Sequence, residues 1–356
     1  MISRRALHAP RIVVGVDTHK DEHVAVVIDK LGVRIGQRNL PTTNTGYVGL
    51  EHWASGLGEI EAFGVEGTGS YGAGLARFLI DQGHSVIEVN RTDRSTRRRL
   101  GKSDIADAEM AARSVLAGVA QAQPKSGVDE VEMIRMLKNT KDSAMKGRTQ
   151  AINQMKALVV TAPVELRAVL SGLTASQLVA RCAGWRNGQL ETPTTAAKYA
   201  LRSLARRYTQ LNEEIKGLNK ELSRLTVAFA PMLMESLGIG TDTAAVLLVT
   251  AGSNPERLKS EAAFAALCGV SPIPASSGKT NRYRLNRGGN RQANAALYRV
   301  VIVRLRHDAR TRTYLQRRTE EGKTKMEAIR CLKRYVAREV FGILHDIGMR
   351  HAVQNT

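Results

Sequence analysis

The chain has 356 residues, 53 Lys and Arg against 33 Asp and Glu, a net charge of +20 and 43% apolar residues. This length holds two or three domains with cores of their own, and the apolar share with mixed charges excludes a disordered chain. The charge points to a nucleic-acid partner, and the longest clean apolar run, around Ala244–Val249, is too short to span a membrane.

The N-terminus, Met-Ile-Ser-Arg-Arg, leads into no apolar signal segment. Cys182, Cys268 and Cys331 are odd in number and far apart, which fits buried thiols in a reducing cytoplasm. No zinc spacing is present. His19 and His23 read as flanking a turn, which argues against a histidine metal site. Aromatic residues make up only 4%, poor support for a base-stacking platform.

In chain order, residues 11–17 read as a buried strand ending in Asp17, His23–Asp29 as a second strand and Arg34–Leu40 as a third, joined as a meander. A helix capped by Asn44 or Thr45 runs to about Leu57. Ile60–Val65 is a fourth strand ending in Glu66. Gly67-Thr-Gly69 turns into a helix over 71–82, and Ser85–Val89 is a fifth strand. Then comes the densest basic run of the N-terminal half, with Arg94, Arg97, Arg98, Arg99 and Lys102, and a helix from about Asp104 to Ala117. The order predicts a mixed α/β sheet.

Helical periodicity resumes over 128–170, residues 171–200 read as irregular, and a heptad seam follows. Leu201, Leu204, Tyr208, Leu211, Ile215, Leu218, Leu222, Leu225 and Phe229 alternate spacings of three and four, which predicts a coiled coil. Its partner is either the preceding helical segment or a second subunit.

Pro231 ends that helix, and Leu237-Gly-Ile-Gly240 joins two helices in the manner of a helix-hairpin-helix, which offers amides to a phosphate backbone. Glu261–Cys268 reads as another helix, 276–290 as a polar basic loop, and helices then run to about Gly348. From Lys279 to Arg350, nineteen Lys and Arg face six Asp and Glu, so this stretch carries thirteen of the net twenty charges. That imbalance favours nucleic-acid contact over a merely solvated face.

The chemistry-bearing residues are Asp17 and Glu66 at strand ends and Asp104 and Asp107 three apart at a helix start. With strand one central and strand four beside it, the acids converge, and four carboxylates at one point require cations. Two Mg²⁺ about 4 Å apart would neutralise them and clamp a phosphodiester.

Val14-Gly-Val-Asp17, Val65-Glu-Gly-Thr-Gly-Ser-Tyr71 and Lys102-Ser-Asp-Ile-Ala-Asp107 resemble the RuvC-like, ribonuclease H-like domain of the DEDD insertion-sequence transposases. These are the Piv-invertase-like, bridge-RNA-guided recombinases of the insertion sequence one-ten family. Leu237-Gly-Ile-Gly240, Ala262-Ala-Phe-Ala-Ala-Leu-Cys-Gly269, Ser277-Gly278, Asn286-Arg-Gly-Gly-Asn290 and Ala293-Asn-Ala-Ala-Leu297 resemble its C-terminal transposase domain in the same order.

The resemblance implies a RuvC-like domain over 11–125, a helical linker and coiled coil over 126–230, and a helical transposase domain over 231–350. It implies a serine nucleophile, Ser277 by its distance from Pro272, with Ser276 as the neighbouring alternative. A serine hydroxyl needs a base or metal; Asp104 or Asp107 with Mg²⁺ would serve. Lys279, Arg282 and Arg284 would steady the phosphate, and Arg287 and Arg291 extend the nucleic-acid surface. The family assembles its composite site across subunits. The implied partners are donor and target DNA, a structured guide RNA and further copies of the chain in a dimer or tetramer, in a bacterial cytoplasm at the nucleoid. A RuvC-type nuclease hydrolysing with water would need the four acids but no serine, and an architectural binder would need neither.

Overall fold

The computed structural model describes residues 10–90, 103–125, 127–186, 188–252, 254, 257–276, 278 and 283–354. The chain divides into two compact units, Met1–Asp129 with Gly252–Lys259, and Glu130–Ala251 with Ser260–Thr356.

The first unit is built on one sheet. β1 (Arg11–Thr18) and β2 (Glu22–Asp29) are apolar and buried on both faces, as central strands must be. β3 (Arg34–Pro41) is largely exposed and lies at the edge. With β4 (Glu59–Glu66) and β5 (Val86–Val89), the strand order is β3-β2-β1-β4-β5. The first three strands are antiparallel, while β1 with β4 and β4 with β5 run parallel. This is the mixed sheet expected from the sequence, with β1 between β2 and β4.

Side chains alternate between faces along each strand. Ile12, Val14, Val16, Phe63 and Val65 form a core with Leu50 of α1 (Asn44–Ser55) and Leu75 and Leu79 of α2 (Ala73–Asp81). Val13, Val24, Val26 and Ile28 face the other way, onto Ala108 and Ala112 of α3 (Asp104–Leu116). Asp17 shares the face of Val13 and Gly15, and Glu66 that of Gly64, so both acids fall on the α3 side. The cap of α1 is Thr43, not Asn44 or Thr45: its extended backbone lets the hydroxyl accept the Gly46 amide at 3.2 Å.

Among its described residues the second unit is helical apart from one short hairpin. It comprises α4 (Glu130–Thr161), α5 (Val164–Leu170), α6 (Ala175–Ala183), α7 (Pro193–Phe229), α8 (Pro231–Glu235) and α9 (Thr241–Ala251). Then follow α10 (Glu261–Leu267), β6 (Ile273–Pro274), β7 (Tyr283–Arg284), α11 (Arg291–His307), α12 (Ala309–Glu320) and α13 (Lys325–Gln354).

Residues 171–200, expected to be irregular, instead hold α6 and the start of α7. Thr174 with Gln177 and Thr192 with Thr195 form capping boxes, and Pro193 is a first-turn residue, where a missing N–H costs nothing. The seam of α7 meets the preceding helix α4 of the same chain, running antiparallel. Met155 and Val159 pack with Leu201 and Ala205, and Arg148 donates to Asn212 at 2.8 Å and lies over Tyr208. At Gly238 the backbone is left-handed (φ +86°), and a Cβ there would stand 3.1 Å from the Val300 carbonyl, so the Gly-Ile-Gly turn is seated on α11.

The three cysteines are free thiols; burial pushes Cys182 up to about 11 and Cys268 up to about 12. Among the described residues no helix is long and apolar enough to cross a membrane.

Candidate functional site: a carboxylate cluster at the ends of β1 and β4

Val16 pairs with Val65 in the parallel register, so one residue further on Asp17 and Glu66 lie side by side. The helix α3 crosses above them on a seat of glycine and alanine. A Cβ on Gly15 would stand 2.0 Å from the Ala108 carbonyl oxygen, and one on Gly64 would stand 3.0 Å from that of Ala111. The missing side chains let the first turn of α3 descend onto the strand ends, bringing Asp104 and Asp107 with it. Asp17, Glu66 and Asp107 are 6%, 8% and 8% exposed; the Asp104 carboxylate is half exposed. Thr18 fixes the end of β4 by donating to the Glu66 carbonyl at 2.8 Å.

The four acids act on one another. Burial raises Asp17 above the usual carboxylate range; His19 opposes this, and the charges of Glu66, Asp107 and Asp104 add to it.

His19, expected to flank a turn away from any metal site, stands against the carboxylates. Its Nε2 lies 3.2 Å from an Asp17 oxygen and 3.5 Å from an Asp104 oxygen, and the ligand atoms of these three residues fall within 4.8 Å of one another. Position is the reason: the β1–β2 turn starts at the strand end that carries Asp17, so a residue two further on hangs over the same spot. The Asp-Thr-His spacing was the one signal for it. His23 lies under the turn, fully buried and stacked on Tyr47, and its Nδ1 accepts the His19 amide at 3.3 Å. Burial lowers the His23 pKa, favouring the neutral ring.

Buried Asp17 and half-exposed Asp104, with the His19 nitrogen, bring ligand atoms within 4.8 Å of one another and fit a divalent cation, whose charge would offset that of the acids. A cleft of about 490 Å³ opens beside them, lined by His19, Lys20, Tyr71 and Asp104 among others.

Of the remaining predicted site residues, Arg94, Arg97, Arg98, Arg99, Lys102, Ser277, Lys279 and Arg282 lie outside the described residues. Arg284, Arg287 and Arg291 are exposed. Ser277 belongs to the segment between β6 and β7, which pair antiparallel through Ile273 with Arg284 and Pro274 with Tyr283.

The base of that hairpin is tied by the small and amide residues around it. A Cβ on Gly289 would stand 2.2 Å from the Gly269 nitrogen, so these backbones cross in contact. Asn286 donates to the Ala266 carbonyl, the Asn290 amide to that of Leu267, and Asn294 to those of Cys268 and Gly269. Asn290 also caps α11.

A family model described as "Transposase" (DEDD, IS110) matches residues 14–162, covering the whole cluster, and a second, "Transposase IS116/IS110/IS902 family", matches residues 230–316, covering the hairpin and its base. The chain belongs to the IS110/IS116 family of insertion-sequence transposases. It is 33% identical over 147 residues to the uncharacterized 43.6 kDa protein of insertion element IS110 from Streptomyces coelicolor, covering 40% of this chain and 36% of that one. It is 23% identical to the uncharacterized 42 kDa protein of insertion element IS900 from Mycobacterium paratuberculosis, over 96% of this chain and 98% of that one. The motifs of this IS110-family chain thus serve two physical ends. Those of the first half gather acids, and those of the second half brace a hairpin.

Proposed function

We propose that this chain is the recombinase of an insertion sequence, cutting and rejoining DNA through a phosphoserine intermediate under the guidance of a structured RNA. The observation that carries this is the convergence of buried Asp17, Glu66 and Asp107 with Asp104 at one end of β1 and β4, within a family of transposases.

Asp17, Glu66, Asp104 and Asp107 would hold the divalent cations, Mg²⁺ in the first instance. Bound there, the ions supply positive charge against the anionic phosphate and lower the pKa of a hydroxyl beside them. Asp104 is the carboxylate most open to solvent and so the best placed to accept a proton. Ser277 loses its hydroxyl proton and its Oγ attacks a DNA phosphorus. One O–P bond forms, one deoxyribose O–P bond breaks, and the departing oxygen takes a proton. Attack by the hydroxyl of another strand end reverses the balance and frees the serine, so bond number is conserved and no ATP is consumed. Lys279, Arg282 and Arg284 would steady the phosphate, with Arg287, Arg291 and the basic run 91–102 along the nucleic acid.

A guide RNA paired with donor and target DNA would be held by shape and backbone contacts, which a broad basic surface provides. The α4–α7 pair is our candidate for joining copies into a dimer or tetramer, since Tyr208, Leu211 and Leu218 of its seam are only partly buried.

The test is a denaturation-resistant protein–DNA adduct from protein, co-expressed RNA, Mg²⁺ and junction DNA, mapped by mass spectrometry. An adduct on Ser277 that Ser277→Ala abolishes supports the reading; one on Ser276 moves the nucleophile by a residue. Cleavage with no adduct in any variant would replace recombination with RuvC-type hydrolysis.

A further inference from the structure

We propose that His19 is itself a metal ligand and gives the site a preference for a first-row transition ion, Mn²⁺, over Mg²⁺. The inference rests on the metal-binding reading of the carboxylate cluster given above.

The geometry comes first. Metal–ligand bonds of about 2.1–2.2 Å place neighbouring octahedral ligands about 3 Å apart. The His19 Nε2 lies 3.2 Å from Asp17 Oδ2 and 3.5 Å from Asp104 Oδ2. The His19 nitrogen thus stands near the spacing of neighbouring ligands from each carboxylate, and all three donor atoms lie within 4.8 Å of one another.

The placement of His19 is also built in. His23 is fully buried and spends its Nδ1 on the His19 amide, while its Nε2 has no partner among the described residues. Leaving a buried donor unpaired is costly. His23 thus holds the turn that aims His19, as a positioning residue. His19 itself is half exposed on the turn, its imidazole meeting Asp17 and Asp104.

The chemistry of the donors sets the choice of ion. Oxygen-only sites suit Mg²⁺, which keeps its waters and has little affinity for nitrogen; an imidazole favours first-row transition ions. Mn²⁺ is the member of that series whose affinity for carboxylate oxygen also matches Asp17 and Asp104.

The experiment uses the full-length protein with Mn²⁺ or Mg²⁺ alone, without nucleic acid. Affinities come from calorimetry, and pulsed electron paramagnetic resonance reports ¹⁴N coupling to bound Mn²⁺. Wild type should bind Mn²⁺ more tightly and show the nitrogen coupling. His19→Ala should lose the coupling and weaken Mn²⁺ about 10-fold or more, while changing Mg²⁺ less than about 3-fold. Asp17→Asn should weaken both ions. If His19→Ala keeps the coupling or the Mn²⁺-to-Mg²⁺ ratio, His19 is not a ligand and the carboxylate site stands without it. If wild type and Asp17→Asn bind both ions equally poorly, the metal-site reading itself fails.

Discussion

A Cβ atom on Gly15 would lie 2.0 Å from the carbonyl oxygen of Ala108 and 2.4 Å from the amide nitrogen of Ala112. No side chain fits between β1 and α3 there, and the obstacle is backbone rather than a flexible side chain. Gly15→Ala must push α3 away, and with it Asp104 and Asp107. Overpacking of this kind costs about 1–3 kcal/mol. We expect a lowered Tm and loss of divalent-cation binding by calorimetry. Wild-type cation affinity in Gly15→Ala would show that the seat of α3 does not position the acids.

Removing one acid should have opposite effects with and without metal. In the metal-free protein Asp17 repels Glu66, Asp107 and Asp104, and burial disfavours its charge. Asp17→Asn should therefore raise the Tm measured in chelator at neutral pH. With cation present the wild type gains binding free energy that the variant cannot, so its Tm should rise while the variant's stays put. Equal cation-induced shifts in the two proteins would contradict the assignment.

Much of this arrangement was legible in the sequence. The meander of three strands fixed β1 as central, and the strand-end positions of Asp17 and Glu66 then fixed them as neighbours. His19 was missed because a lone histidine on a turn carries no periodic signal; only the fold brings it over Asp17 and Asp104. Residues 171–200, expected to be irregular, are largely helical, because Pro193 starts α7 and Gly184 ends α6 rather than interrupting them. The roles of Gly269, Gly289 and Asn294 were equally hidden, since they depend on contacts between segments far apart in the chain.

Gly289 gives the sharpest test of the hairpin base. A Cβ there would stand 2.2 Å from the Gly269 nitrogen and 2.9 Å from the Ala266 carbonyl oxygen. Gly289→Ala should force β6 and β7 out of place. Phosphoserine adduct should fall below detection while divalent-cation affinity, which depends on the carboxylate cluster, is unchanged. A normal adduct yield would show that the base does not govern the hairpin.

Glu261 should make the helical unit sensitive to acid. It joins α10 to α13 through ion pairs with Arg334 and Arg338, the latter at 2.6 Å. Burial alone would raise its pKa, but the hydrogen bonds and charges of the two arginines outweigh that and hold it below the ordinary 4.5. A depressed carboxylate stabilises fully above its unfolded value and loses that contribution as pH falls through its folded value. Glu261→Gln should thus lower the Tm at about pH 7. Variant and wild type should converge as pH drops below 4.5. A Tm difference independent of pH would remove the ion pair as its cause.

On the function proposed above, DNA strand chemistry depends on the acids at the ends of β1 and β4. The direct measurement is the yield of protein–DNA adduct from Asp17→Asn, with its RNA, junction DNA and saturating Mg²⁺, beside wild type under the same conditions. Asp17→Asn should stay folded, still bind both nucleic acids and form no detectable adduct. Adduct at the wild-type yield would mean that the cluster does not serve the reaction.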